Sequence, residues 1–144
     1  MLTGEIQDAV PVLERRAVEL LAQLGREPSA DPEYGIAPKE LAETMARTLS
    51  LPEIATLRPL LIPEYSVFGS KIDGKIETLV SGIADAVARD VNDKIKAIID
   101  WKSDVEMNPD KLAAYCSQLS EYRNHTCAER ALLVLMTAGR LMNA

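Results

Sequence analysis

Apolar residues recur every three or four positions from Ala9 to Leu24, at Val10, Leu13, Ala17, Leu20, Leu21 and Leu24. That spacing lines one face of a helix, and Gly25 is placed to cap its end. Arg26 to Tyr34 carries Pro28, Ser29, Asp31 and Pro32 and reads as a loop. Pro38 then opens a second helix, because its missing N–H and fixed φ suit a first turn. Leu41, Met45 and Leu49 form its apolar stripe, and Ser50-Leu51-Pro52 ends it. Pro52 to Leu60 has room for a short helical turn before Pro59.

From there the period changes to two. Glu64 to Ile72 predicts a strand, and Asp73-Gly74 is a hairpin turn signal. Lys75 to Arg89 predicts a long second strand, with Gly82 expected to bulge or kink it. Asn92-Asp93 marks another turn, and Lys94 to Lys102 predicts a third strand. Its Ile95, Ala97, Ile98 and Ile99 are apolar on both faces, as a central strand requires. Asn108-Pro109 starts a helix, with Asn108 as N-cap, that runs to about Arg123. Leu112, Tyr115, Cys116, Leu119 and Tyr122 lie along one side of it. Ala131 to Thr137 is nearly all apolar and predicts a buried fourth strand. A helix separates it from the third, so the two are expected to be parallel with a right-handed crossover. The order is αα-βββ-α-β, an α/β fold with a mixed β-sheet flanked by helices.

Composition narrows the class. The 144 residues suffice for one domain with a real core, and 47% hydrophobic against 26% charged is an ordinary globular balance. No apolar run approaches the ~20 residues of a membrane span. Met1-Leu2-Thr3-Gly4-Glu5 has neither the basic nor the apolar stretch of a signal peptide, so a cytoplasmic protein with no membrane partner is expected. The net charge of -6 gives no broad basic footprint, so any grip on DNA comes largely from elsewhere. Cys116 and Cys127 are too few for a four-thiolate site and wrongly spaced for a Cys-x-x-Cys redox motif. They read as two ordinary buried or partly buried thiols. His125 reads as a solvated loop residue.

Chemistry gathers at Asp100-Trp101-Lys102. Strand side chains alternate faces, so Asp100 and Lys102 point one way and Trp101 the other. Asp85 lies in the preceding strand. A turn centred on Asn92-Asp93 sets Asp85 opposite Asp100, with Cβ atoms about 5 Å apart. Like charges directly opposite destabilise a sheet unless a cation bridges them. Hard carboxylate oxygens select Mg²⁺ or Mn²⁺ rather than zinc. Lys102 can orient a water or stabilise charge on a scissile phosphate. Asp-x-Lys alone is common as an exposed pair, and Asp85 alone is bland. Their order on successive strands before a helix is what makes them specific.

Gly82-Ile83-Ala84-Asp85, Ile98-Ile99-Asp100-Trp101-Lys102-Ser103-Asp104 and Gln118-Leu119-Ser120-Glu121-Tyr122 together resemble the PD-(D/E)XK nuclease domain of the RecB/AddA type. Such domains lie at the C-terminal end of UvrD-like superfamily 1 helicases that process double-strand breaks. The family pattern is Gly-x-x-Asp, then Asp-(Trp/Tyr)-Lys-(Ser/Thr), then Gln-x-x-x-Tyr, and the resemblance covers about residues 63–137. It implies a restriction-endonuclease-like core and a Mg²⁺- or Mn²⁺-dependent deoxyribonuclease of the exonuclease kind. It implies Asp85, Asp100 and the Trp101 backbone carbonyl as metal ligands, and Lys102 as the catalytic lysine. Gln118 and Tyr122, neighbours at i and i+4, would help position DNA or the site. The plainer reading packs Tyr122 into the core and lets Gln118 cap a neighbour. Glu64 matches an acid on the family's first strand and is a candidate for the site edge, or a solvated strand residue. Asp104 reads as a turn or cap residue.

The family usually adds a histidine ligand from an earlier helix, within a Gly-x-x-x-His-type motif. No histidine precedes Asp85, and Leu2-Thr3-Gly4-Glu5 resembles the tail of that helix. The chain is therefore expected to be an excised piece, weak in metal binding or activity alone. Residues 1–60 would be its helical part and 61–144 its catalytic core. The implied partners are DNA, as single strands delivered by a helicase, and that helicase in cis or as a partner subunit. Two other readings stand beside this one. The first is a catalytically silent nuclease fold for DNA-end binding or structural support. The second is an unrelated α/β domain.

Overall fold

Helices α1 (Val10–Gln23), α2 (Pro38–Leu49) and α3 (Pro52–Leu57) lead through a 3-10 turn (Arg58–Leu60) into the sheet. Strands β1 (Leu61–Asp73), β2 (Ile76–Arg89) and β3 (Ile95–Lys102) follow, then α4 (Pro109–Thr126), β4 (Arg130–Leu135) and β5 (Arg140–Asn143). This computed structural model describes residues 8–29, 31 and 34–144; the Leu2-Thr3-Gly4-Glu5 segment lies outside them.

The five strands lie in sequence order in one sheet. β1, β2 and β3 form an antiparallel meander, β3 and β4 are parallel, and β4 and β5 are antiparallel. The fold is α/β, a mixed sheet flanked by helices, consistent with a restriction-endonuclease-like core. On one face Ala86, Ala97, Ile99, Leu132 and Val134 pack with Leu49, Ile54 and Leu57 from α2 and α3. On the other, Val87, Ile98, Ala131 and Leu133 pack with Leu119 of α4. α2 and α3 of the helical part thus share a core with one face of the sheet. No helix among the described residues is long and apolar enough to cross a membrane.

The short turns behave as their residues dictate. β1 and β2 join through Gly74 and Lys75, and Gly74 has a φ of +61°, which costs glycine little. In the β2–β3 turn, Asp90 Oδ1 accepts from the N–H of Asn92 at 2.8 Å and of Lys94 at 3.0 Å. Asn108 caps α4 by accepting from Lys111 N–H at 2.8 Å. Asn108→Ala should lower stability by about 1 kcal/mol in urea unfolding, since that N–H loses its partner.

Four expectations need correction. β5 extends the expected order: its four residues are too few to show a period, and it turns back through Gly139 at φ +60°. β1 begins at Leu61, not Glu64; Pro63 is tolerated there because β1 is an edge strand. Gly82 is no bulge, since β1 pairs through it in unbroken register and the irregularity lies between Ala88 and Arg89. A Cβ at Gly82 would meet Tyr122 Oη at 2.1 Å, so the glycine makes room for α4. His125 sits in the last turn of α4 rather than in a loop, and its ring occupies the space a Cβ at Gly69 would need.

Asp8, ahead of α1, forms an ion pair with Arg58, with Arg58 Nη2 at 2.7 Å from Asp8 Oδ1. The Arg58 guanidinium holds the Asp8 carboxyl below its ordinary value, with burial working against it. A depressed folded pKa adds stability above the unfolded value of about 3.9, lost as pH falls through the lower folded one. The Asp8 side chain is 42% exposed, so screening limits the gain to below about 1 kcal/mol. Asp8→Asn should therefore be less stable at neutral pH, and the two stability curves should converge in acid.

Candidate active site

β2 and β3 part company where the acids lie. Their register follows the expected one, with Val87 opposite Ile98 and Ala86 opposite Ile99, and the pairing ends there. Continued by one residue, it would set Asp85 against Asp100. Instead the strands fork, and Asp85 Oδ2 accepts from Trp101 N–H at 2.7 Å. A side-chain carboxylate thus takes the place of the next rung of the ladder.

The alternation of faces also slips here. Ala86 and Ala88 belong to the face covered by α2 and α3, yet Ala84 joins the α4 face together with Val87. On β1, Leu61 lies on the first face, whereas Ile62, Tyr65 and Val67 lie on the second. Between Tyr65 and Ile62, Glu64 has a φ of +52°, a conformation rare for a side chain of this type. The flanking pairs Pro63–Ala86 and Tyr65–Ala84 place Glu64 beside Asp85 in strand order. Glu64 is exposed, so it stands at the rim rather than in the buried fork.

β3 alternates as expected. Trp101 packs toward the cluster under α2 and α3. Lys102, on the opposite face, meets α4, with its Nζ 4.7 Å from the centroid of the Tyr115 ring. Lys102 Nζ also lies 2.6 Å from Asp100 Oδ2, with side chains only 21% and 14% exposed. The two form a close, largely buried ion pair. Burial pushes the Asp100 carboxyl up from its ordinary value; Lys102 pulls it back, and the Asp85 carboxylate adds to the rise.

The backbone adds an oxygen. The N–H and C=O of one strand residue point to the same side. Since the Trp101 N–H reaches Asp85, its carbonyl opens toward the same fork. Lys102 O turns the other way and accepts from Met136 N–H at 2.8 Å. Asp85, Asp100 and the Trp101 carbonyl therefore border one space, with Lys102 at its side. Among the described residues no cluster of three or more His, Cys, Asp and Glu converges. The oxygens available are two carboxylates and main chain.

α4 lies across this face. Gln118 Nε2 donates to Tyr122 Oη at 3.1 Å, and Tyr122 rests on Gly82, three residues from Asp85. The two bond to each other, and among the described residues no hydrogen bond joins either of them to Asp85, Asp100 or Lys102. Asp104 forms an ion pair with Lys111 and accepts from Tyr115 Oη at 3.1 Å through Oδ2. It acts as a tie between the end of β3 and α4, and Lys111 holds its carboxyl below the ordinary value. His125 lies ten residues beyond Tyr115, about 15 Å along the helix. Tyr115 is the residue that sequence reasoning missed. It looked like one more core position on a helical stripe, and the signal that could have found it is its Asp104–Lys111–Tyr115 spacing beside Lys102.

No family model and no curated protein matches the chain. Among solved structures, the crystal structure of SSO0001 is similar at a TM-score of 0.48 and 18% sequence identity, over 95% of this chain and 64% of that one. The chain thus spans less than two thirds of that protein's length.

Proposed function

We propose that this chain is a metal-dependent DNA nuclease domain of the kind that works with a helicase at broken DNA ends. The observation that carries this reading is the strand fork that brings the Asp100 carboxylate, paired with the Lys102 ammonium, next to Asp85 and the Trp101 carbonyl. One ammonium faces two carboxylates there, so a further cation would lower the cost of their charge. The donor set is all hard oxygen, which fits Mg²⁺ or Mn²⁺. Asp85, Asp100 and the Trp101 carbonyl would hold the ion. When bound, it would supply an acidified water and a counter-charge for the phosphate.

The chain's own residues do the rest. Lys102 carries its ammonium on the same face as Asp100, where it can donate to a phosphate oxygen as negative charge develops. Asp85 keeps the fork open by holding the Trp101 N–H. Gln118 and Tyr122, bonded to each other on the α4 side of the sheet, would offer an amide and a hydroxyl to the sugar-phosphate chain of a single strand. A net charge of -6 favours delivery of the strand by a helicase, in cis or as a partner subunit, over capture by this domain alone.

The test is cleavage of an end-labelled single-stranded oligonucleotide with Mg²⁺ or Mn²⁺. Products that require the metal, vanish with a chelator and vanish in Asp100→Asn are expected. Equal cleavage by Asp100→Asn would refute the assignment. DNA binding without cleavage would favour the catalytically silent module.

A further inference from the structure

A lysine on a strand end has four rotatable methylenes and no intrinsic reason to keep its ammonium in one place. Lys102 is held from two sides. Asp100 lies 2.6 Å from Nζ, and the Tyr115 ring faces Nζ with its centroid at 4.7 Å. The ring is anchored in turn. Its hydroxyl donates to Asp104 Oδ2 at 3.1 Å, and Asp104 pairs through its other oxygen with Lys111, one turn earlier on α4. Lys111 Nζ lies 6.0 Å from the same ring centroid, on the edge of cation–π range. Asp104 follows Lys102 by two residues, so the chain leaves β3, clamps the first turns of α4 and sets an aromatic face against its own lysine.

We propose that Tyr115 is a positioning residue that holds the Lys102 ammonium at the fork, with Asp104 fixing the ring. The consequence for cleavage rests on the nuclease reading; the hold itself does not. The two restraints differ in kind. A carboxylate that turns its charge toward another cation loosens its grip on lysine, whereas the quadrupole of a ring keeps attracting it. Tyr115 would therefore keep Lys102 in place when Asp100 is otherwise engaged.

The experiment follows the Lys102 ε-methylene resonance in uniformly labelled protein, assigned by its loss in Lys102→Arg. Protons over an aromatic face are shifted upfield. The upfield position should persist in Tyr115→Phe, which keeps the ring, and collapse to the exposed-lysine position in Tyr115→Leu. Asp104→Ala, which leaves ring and core intact, should give an intermediate shift. Cleavage should fall roughly 3- to 30-fold in Tyr115→Leu, chiefly in kcat, and be largely rescued in Tyr115→Phe. An exposed-lysine shift in the wild type, or an unchanged shift in Tyr115→Leu, overturns the proposal. So does a shift that collapses while the cleavage rate stays at the wild-type value. If the wild-type protein cleaves nothing, the nuclease reading falls and the resonance alone still decides the hold.

Discussion

Asp100→Asn should abolish metal-dependent cleavage without lowering stability at neutral pH. Asn keeps the shape and loses the charge. On the nuclease reading, a lysine that neutralises the phosphate is worth about 10²–10³ in rate, and loss of a carboxylate ligand would cost at least as much by weakening the hold on the ion. Lys102→Ala should fall by a similar factor, and the pair together by little more than either alone, because they act as a unit. The stability half follows from the raised pKa of Asp100. A carboxyl with a folded pKa above its unfolded one stabilises the fold below the unfolded value. That contribution is lost as pH rises through the folded value. At neutral pH the wild type holds an ion that burial disfavours, and Asn relieves it. Thermal unfolding at pH 7 should give an equal or higher Tm for Asp100→Asn, with the advantage shrinking in acid. A substantially lower Tm would mean that Asp100 is a structural ion-pair partner of Lys102 rather than a strained site residue.

Gly82→Ala should lower stability through a steric clash with α4. The added Cβ would lie 2.1 Å from Tyr122 Oη and 2.6 Å from its Cζ, far inside contact distance. β2 is laddered to β1 through and on either side of Gly82 along the strand, so the clash falls on the Tyr122 ring and α4. Overpacking of this sort costs about 1–3 kcal/mol, partly offset by the conformational entropy that alanine removes from the unfolded chain. Each kcal/mol lost should lower Tm by about 2–4 °C for a chain of this size. In a Tyr122→Ala background the same substitution should cost nothing, and the difference is a direct measure of the contact. Cleavage should also drop, because the displaced Tyr122 carries the Gln118 hydrogen bond with it. A neutral Gly82→Ala would show that α4 is not seated on this hairpin.

Much of the architecture was legible because it rests on local rules. Periodic leucines mark α1, proline and the asparagine cap mark the starts of α2 and α4, and Asn92-Asp93 sets the β2–β3 register. The register alone brought Asp85 toward Asp100. What stayed hidden was tertiary. Face alternation assumes an unbroken pleat, and the slip at Glu64 and Asp85 depends on one residue taking φ +52°, which its side chain does not announce. Glycine at position 82 has several possible meanings from sequence, and only the approach of Tyr122 decides among them. Tyr115 lies on an apolar stripe, and a stripe cannot say which member meets a lysine rather than the core. β5 is too short to show a period.

The nuclease reading requires the β2–β3 fork to hold a divalent ion through Asp85 and Asp100. Its most direct test is titration of the protein with Mn²⁺, followed by loss of the free-ion paramagnetic resonance signal. One bound ion per chain, displaced by excess Mg²⁺ and lost in Asp100→Asn and in Asp85→Asn, is the predicted result. No binding by the wild type, or binding unchanged in both variants, would contradict it.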